Sequence, residues 1–222
     1  MVSGARMPRP RPSAFIPLHP SMVFATNNEH KLREIRQILG DDTELLGLSE
    51  IGCTEDIPED SDTLEGNALQ KARYVAVKYG VDCFADDTGL HVDALGGAPG
   101  VYTARFGSMN GFGDSHDAQA NIRCLLSKME GQADRRCRFR TVIALVRHTG
   151  RGTLEEHLFE GTVEGKVVAA LRGTNGFGYD PVFEVEDTGL TFAEMGAEGK
   201  NAVSHRARAV ARLAEFLKRE KG

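Results

Sequence analysis

No apolar run in the 222-residue chain approaches the about 20 residues that a membrane-spanning helix needs, so no membrane partner is expected. Cysteine is scarce: Cys53, Cys83, Cys124 and Cys137 share no C-x-x-C spacing and are too few to staple a small secreted fold. They read as reduced thiols filling a core, which suits the cytoplasm. An excess of positive charge is also missing. With 27 Lys and Arg against 32 Asp and Glu, a net charge of -5 and a pI near 5.8, the chain lacks the basic field that grips a nucleic-acid backbone regardless of sequence. A nucleic-acid partner is therefore not expected, while a free nucleotide in a local cationic pocket stays compatible with this balance. Neither a G-x-x-x-x-G-K-[ST] loop nor a G-x-G-x-x-G after a strand is present, so any nucleotide site is built another way. The seven histidines form no H-x-x-x-H pair and the cysteines no zinc spacing, which leaves hard oxygen ligands for any metal.

What is present reads as one large domain over residues 22–222 rather than two small ones. The preceding MVSGARMPRPRPSAFIPLHPS, residues 1–21, is rich in Pro and Arg without the continuous apolar stretch of a secretory signal, and is expected to be a disordered leader. Met22 to Ala25 reads as a buried strand, followed by a helix with the stripe Leu32, Ile35, Ile38 and Leu39 that stops at Gly40. Asp62-Thr63-Leu64-Glu65 has the form of a capping box led by Asp. It opens a helix striped by Leu64, Ala68, Ala72, Val75, Ala76 and Tyr79 and closed by Gly80. Cys83 to Ala85 is predicted as a short strand and Leu90 to Ala94 as a second, with a helix over Asp117 to Met129. Val142 to Val146 reads as a strand buried on both faces, Leu158 to Val163 and Val182 to Val185 as further strands, and Asn201 to Lys218 as a closing helix. Interspersed strands and helices at these spacings predict an α/β fold, a mixed sheet flanked by helices.

Four clusters carry chemistry. In Phe24-Ala-Thr-Asn-Asn-Glu-His-Lys31 a strand hands over to a helix that Asn27 or Asn28 can cap. The free N–H groups of the first turn and the Lys31 ammonium favour an anion such as a phosphate, although an ordinary capped turn has the same sequence. Next, Asn67 and Lys71 are i,i+4 neighbours that can aim an amide and an ammonium at one place. Carboxylates surround them: Glu55, Asp56, Glu59 and Asp60 before that helix, and Asp86-Asp87 at a strand end. Magnesium needs only one or two carboxylates, because it keeps waters and takes phosphate oxygens from a substrate. Adjacent side chains in an extended segment point to opposite faces, so one aspartate faces a site while the other is expected to bond backbone N–H groups in a turn toward Gly89. Third, Gly173-Thr-Asn-Gly-Phe-Gly-Tyr-Asp-Pro-Val-Phe183 offers close backbone approach, the flat faces of Phe177 and Tyr179, and Asp180 as an acceptor for ring N–H groups. Last, Ser204-His205-Arg206 opens the final helix after Lys200 and brings cationic donors that can read a carbonyl or a phosphate.

Taken in order, Thr26-Asn-Asn-Glu-His-Lys31 with Glu34, Asn67-Ala68 with Lys71-Ala72, Ala85-Asp-Asp-Thr-Gly-Leu90 through Ala94-Leu-Gly-Gly-Ala-Pro-Gly100 to Ala104-Arg105, Gly176-Phe-Gly-Tyr-Asp-Pro181 and Ser204-His-Arg206 closely resemble one family. It is the inosine triphosphate pyrophosphatase family, the Ham1/RdgB-like noncanonical purine NTP pyrophosphatases, and the likeness runs over nearly everything from Met22 onward. The resemblance implies a homodimer of two-lobed subunits on a long mixed β-sheet, with the active-site cleft between the lobes, a fold shared with the Maf type. It also implies Mg²⁺-dependent cleavage, Mn²⁺ being an alternative, of ITP, dITP and XTP to the monophosphate and pyrophosphate, cleansing the nucleotide pool. Carried over by position, Thr26, Asn27, Asn28, Glu29, His30 and Lys31 cradle the triphosphate, Asp87 is the catalytic carboxylate and a metal ligand, and Thr88 contacts substrate. Phe177, Gly178, Tyr179, Asp180, Lys200, His205 and Arg206 surround the base. Glu59 is the expected second metal carboxylate, with Glu55 still open.

Two positions depart from the family pattern: Gly66 stands where Glu is usual, with Glu65 beside it as a substitute, and Thr88 replaces the commoner Ser but keeps the hydroxyl. A Maf-type enzyme acting on modified pyrimidine or guanine nucleotides is the nearest rival, though it lacks the Ser204-His-Arg206 ending. A regulator that kept the pocket and lost turnover is the rival from another class. Base choice is expected to rest on Arg206 or His205 donating to a keto oxygen while Asp180 or a backbone carbonyl accepts from the ring N–H, an arrangement that adenine leaves unpaired on both sides.

Overall fold

The apolar run after Ser21 forms strand β1 (Met22–Phe24), and Asn28 then caps helix α1 (Glu29–Leu39), which ends at Gly40 with φ 68°. In this computed structural model the described residues are 22–40, 44–150 and 152–220, so the leader expected over 1–21 lies outside them. The chain continues through β2 (Leu45–Leu46), α2 (Leu64–Tyr79), β3 (Cys83–Val92), β4 (Pro99–Gly100), the short α3 (Phe106–Met109) and α4 (Ala118–Lys128). It closes with β5 (Arg136–His148), β6 (Leu154–Val167), β7 (Phe183–Val185), α5 (Ala197–Val203) and α6 (His205–Arg219). The sheet is mixed, as the spacing of elements predicts. Its order is β2-β1-β3-β5-β6-β7, with β1 parallel to β2 and β3, the remaining neighbours antiparallel, and β4 attached to the far end of β3.

Side chains alternating along β3 divide the interior. Cys83 and Ala85 pack with Ala68, Ala72 and Val75 of α2, whereas Phe84 packs with Ile35 of α1 and Val210 and Leu213 of α6. Beyond Thr88 the strand enters a second lobe, where Leu90 and Val92 join Ile122, Leu125, Phe139, Phe183 and Phe192 in a core of their own. Fully burying each such side chain stabilises the fold by roughly 1.5–3 kcal/mol. A cleft opens between the lobes at the point where β3 passes from one to the other. Gly161 in β6 lets α6 lie against the sheet, because a Cβ there would stand 2.0 Å from the His205 carbonyl oxygen and 2.6 Å from the Ala209 nitrogen.

Three local expectations need correction. The two strands predicted on either side of Asp86-Asp87 are one ten-residue strand, so the aspartates sit in mid-ladder and no turn follows them. The closing helix is broken at Ser204, which caps α6 by accepting from the Ala207 N–H. Thr63, not Asp62, caps α2, and its hydroxyl accepts from Gly66 N at 3.1 Å. Gly66 owes its identity to this corner. A Cβ at that position would lie 1.9 Å from Ser61 Oγ and 2.6 Å from Ser61 Cβ. Gly→Ala inside a helix ordinarily stabilises by roughly 0.5–1 kcal/mol. Here the sign reverses: Gly66→Ala is expected to destabilise by about 1–3 kcal/mol in urea unfolding, and adding Ser61→Gly to restore the loss. A stabilised single variant would contradict the steric account.

Candidate active site

The cleft has a volume of about 820 Å³ and is walled by Thr26 to Lys31, Glu59, Lys71, Asp87 and Thr88 together with Phe177 to Asp180, Lys200, His205 and Arg206. Every residue that the motifs singled out as catalytic or binding thus lines one space. Arg105, His116, Asn121 and Phe139 line it too, without having been assigned a role from sequence.

Opposite faces of β3 separate the two aspartates. Asp87, 9% exposed, accepts from Asn67 Nδ2 at 3.1 Å and from the Thr88 N–H at 3.0 Å. Burial pushes its pKa up, the nearby Glu59 carboxylate adds to the rise, and Lys71 and Lys31 only partly oppose it. Asp86 is buried and bonds cations rather than turn N–H groups: Lys31 Nζ at 2.8 Å, Arg206 Nε at 3.2 Å, and the Thr88 hydroxyl at 3.3 Å. Burial alone would raise the Asp86 carboxyl, but Lys31, Arg206 and Lys71 together hold it well below the usual carboxylate range. One aspartate is therefore a fixed counter-ion and the other a carboxylate of raised basicity facing the cleft.

The i,i+4 pair on α2 converges as its spacing implies. Asn67 holds Asp87, and the Lys71 ammonium bonds the Asp86 carbonyl oxygen at 2.8 Å and the Glu59 carboxylate. Glu55 points elsewhere, with its carboxylate bonded by the Tyr79 hydroxyl at 2.8 Å and by Lys78, so of the two glutamates only Glu59 lines the cleft. Among the described residues no three His, Cys, Asp or Glu gather as a metal cage. Two convergent carboxylates, Asp87 and Glu59, fit a hard cation that takes its remaining oxygens from water and phosphate, and not a soft one.

The helix start is more self-sufficient than the sequence implies. Asn28 Oδ1 accepts from the His30 and Lys31 N–H groups at 3.0 and 3.2 Å, so two first-turn donors expected to be free are already used by the cap. Phe177 stacks on His30 of that first turn with ring centroids 5.4 Å apart, and Lys200 Nζ lies 4.7 Å from the Phe177 centroid. Tyr179 offers little face to a ligand. It is a core side chain, 3% exposed, whose hydroxyl donates to the Thr103 carbonyl oxygen.

Two expected base readers are spoken for inside the protein. Asp180 Oδ2 accepts from Lys200 Nζ at 2.7 Å and from the Phe177 N–H at 2.9 Å. Arg206 is buried and donates to Glu34, to Asp86 and, at 3.4 Å, to Thr88. Glu34 also meets Lys200 Nζ at 3.3 Å, which explains an acidic residue on the inner side of α1. Sequence reasoning missed Thr141, whose hydroxyl lies 2.7 Å from Thr88 Oγ1 and 2.6 Å from His205 Nδ1. Its signal was a hydroxyl residue at the head of the apolar run Val142 to Val146.

Known proteins are similar to this chain in sequence and fold. The model of the Ham1 family matches residues 22–216. A protein of Porphyromonas gingivalis named dITP/XTP pyrophosphatase is 54% identical over 197 residues, covering 88% of this chain and 96% of the relative. The Flavobacterium johnsoniae protein of the same name is 46% identical over 198 residues, covering 88% and 97%. Among solved structures, the Staphylococcus aureus Ham1 protein superposes with a TM-score of 0.78 at 37% identity, covering 90% of this chain and 99% of that one. A HAM1 protein from Coxiella burnetii gives 0.79 at 34% identity, covering 90% and 100%. With a family model that spans the cleft, both lobes and every motif lining them, the chain belongs to the Ham1 family.

Proposed function

We propose that the protein hydrolyses noncanonical purine nucleoside triphosphates, ITP, dITP and XTP, to the monophosphate and pyrophosphate. The observation that carries this reading is Asp87: a carboxylate held by Asn67 and facing the same cleft as the cationic start of α1, Phe177 and His205. The names of the relatives from Porphyromonas gingivalis and Flavobacterium johnsoniae support the substrate class. In this reading Thr26 to Lys31 and the N-terminal field of α1 hold the triphosphate, Lys31 is aimed by its bond to Asp86, and Phe177 covers the base. Asp87 takes a proton from the water that attacks the α-phosphorus in line with the departing pyrophosphate, while Asn67 keeps the carboxylate in position. Glu59 and Asp87 would hold Mg²⁺, or Mn²⁺ in its place, and the bound ion would supply charge neutralisation to the phosphate oxygens. Residues 22–222 act as one catalytic unit, which we take to work as a homodimer. Four buried, unpaired cysteines and a nucleotide substrate suit the cytoplasm, and among the described residues no helix is long and apolar enough to cross a membrane.

Incubating the purified chain with ITP and Mg²⁺ should release one pyrophosphate per IMP, with the activity lost on exhaustive chelation and restored by Mg²⁺ but not requiring zinc. ATP should be cleaved with a kcat/KM lower by about 10⁴–10⁵-fold. Tight ITP binding without pyrophosphate release would instead make the protein a regulator, and comparable ATP and ITP constants would refute the base choice.

A further inference from the structure

We propose that Arg105 is a substrate-binding residue that takes hold of the leaving pyrophosphate from the side of the second lobe. The inference deepens the reading of the cleft as a nucleoside triphosphate site and rests on it for the identity of the anion. Its starting point is the charge that lines the cleft. Of the five Lys and Arg side chains there, four already answer carboxylates: Lys31 meets Asp86, Lys71 meets Glu59, Lys200 meets Asp180 and Glu34, and Arg206 meets Glu34 and Asp86. Arg105 answers none. It is half-buried, and among the described residues its guanidinium makes no ion pair and donates no hydrogen bond, resting instead over the Tyr102 ring with Cζ 5.5 Å from the centroid.

The backbone that carries Arg105 is fixed on both sides. The residue closes a single 3₁₀ turn (Thr103–Arg105) between β4 and α3. Thr103 Oγ1 accepts from the Leu90 N–H at 2.8 Å and donates to the Gly100 carbonyl oxygen at 2.6 Å, which ties the turn to β3 and β4. The Ala104 carbonyl oxygen accepts from Asn121 Nδ2 at 3.0 Å and from the His116 N–H at 3.1 Å. His116 makes that bond from a φ of 66°, a conformation disfavoured for any residue with a side chain. A firmly anchored backbone thus presents a guanidinium that has no acceptor of its own, which is the arrangement of a preformed anion site.

Two observations direct this site to the phosphate chain. The cradle at α1 is short of free donors, since the Asn28 cap takes the His30 and Lys31 N–H groups and Asp86 holds the Lys31 ammonium. Tyr102, under the guanidinium, sets its hydroxyl 3.5 Å from Asp62, in the segment that leads into α2. That helix carries Asn67, which holds Asp87, so Arg105 and Tyr102 are joined to the element that positions the reacting carboxylate. Hydrolysis develops charge on the leaving group: the water oxygen bonds to the α-phosphorus, its proton passes to Asp87, and the bond to the bridging oxygen breaks with the electron pair going to pyrophosphate. A guanidinium fork neutralises that charge and can hold two of the oxygens at once.

The test is titration calorimetry of the full chain in Mg²⁺ buffer with inorganic pyrophosphate and, separately, with IMP, for wild type, Arg105→Ala and Arg105→Lys. Arg105→Ala should raise the pyrophosphate Kd by about 10–100-fold, the scale of hydrogen bonds to a charged group, and leave the IMP Kd unchanged. Arg105→Lys should fall between, since it keeps the charge and loses the fork. With ITP as substrate, kcat should drop by a similar factor in Arg105→Ala while the urea midpoint stays at the wild-type value, because the guanidinium has no acceptor in the protein to lose. A pyrophosphate Kd equal in wild type and Arg105→Ala, a loss that falls on IMP instead, or a wild type that does not bind pyrophosphate would overturn the proposal. Turnover is not needed for these titrations, so a wild type inert toward ITP would sink the proposed function while the two Kd values still judge Arg105. If Arg105→Ala does not fold, the same comparison between wild type and Arg105→Lys decides.

Discussion

Asp87→Asn is expected to lower ITP turnover by about 10²–10⁴-fold with the fold left in place, because the amide keeps the shape of the carboxylate and removes the proton acceptor. Asn67 Nδ2 and the Thr88 N–H now donate to different oxygens of Asp87, so the amide can accept from one of them and a single hydrogen bond is lost. Asp86→Asn is the informative contrast. Its carboxylate answers three buried or half-buried cationic groups, so neutralising it should show first as lost stability and only then as lost rate. Steady-state pyrophosphate release beside thermal melts of both variants separates the two effects. Turnover in Asp87→Asn equal to wild type would remove Asp87 from the mechanism.

The second large effect is on folding. Arg206→Ala is expected to cost about 3–5 kcal/mol, since it strips a buried guanidinium from two buried carboxylates. Burial works against the charged Arg206, and Glu34 and Asp86 overcome it, holding the guanidinium ionised inside the protein. Removing the cation leaves Glu34 with Lys200 alone and Asp86 with Lys31 alone among their close ion pairs. A loss of that size is a large share of the 5–15 kcal/mol by which domains are ordinarily stable. Sequence alone makes Arg206 one of two expected donors to the base; its buried ion pairs make Arg206→Ala a structural lesion as well. Arg206→Lys, which keeps the charge and loses the fork, should fall between. An unfolding midpoint in urea unchanged by Arg206→Ala would show that the ion-pair network carries little.

Periodicity made most of the fold legible. The stripes of α1, α2 and α4 fall within a residue or two of the observed helix limits, whereas β5 starts six residues before the apolar run Val142 to Val146 that announces it and the closing helix is split at Ser204. Glycine misled where its reason for being there was packing rather than turning. Gly89 reads in sequence as a turn residue, yet a Cβ at this position would stand 2.8 Å from the Gly100 carbonyl oxygen, so the residue marks the close approach of β4 to β3. That mistake cut β3 in two and gave Asp86 the wrong partners. Motifs brought all the named site residues to one cleft: most lie in loops or first helical turns facing the space between lobes, while Asp87 and Thr88 reach it from the middle of β3 and Lys200 from within α5. They could not show which polar groups were already satisfied. Asp180, Arg206 and the Asn28 cap look like free readers in sequence and are paired in the structure, a distinction that depends on contacts between residues such as Glu34 and Arg206, far apart along the chain.

The contact of Gly161 with the first turn of α6 has a consequence for how this enzyme class can diversify. Since the helix backbone rests on the sheet with no room for a methyl group, His205 and Arg206 are fixed to β6 as rigidly as a strand residue would be. A change of base preference, in nature or under laboratory selection, must then be routed through the segment Gly173 to Asp180. Phe177 and Asp180 of that segment both meet Lys200 of α5, and the glycines at 173, 176 and 178 hold left-handed conformations that other residues would strain, so change falls on the non-glycine positions of the loop. Libraries randomised at that loop should yield altered substrate ranges, while libraries on the first turn of α6 should yield mostly unfolded protein.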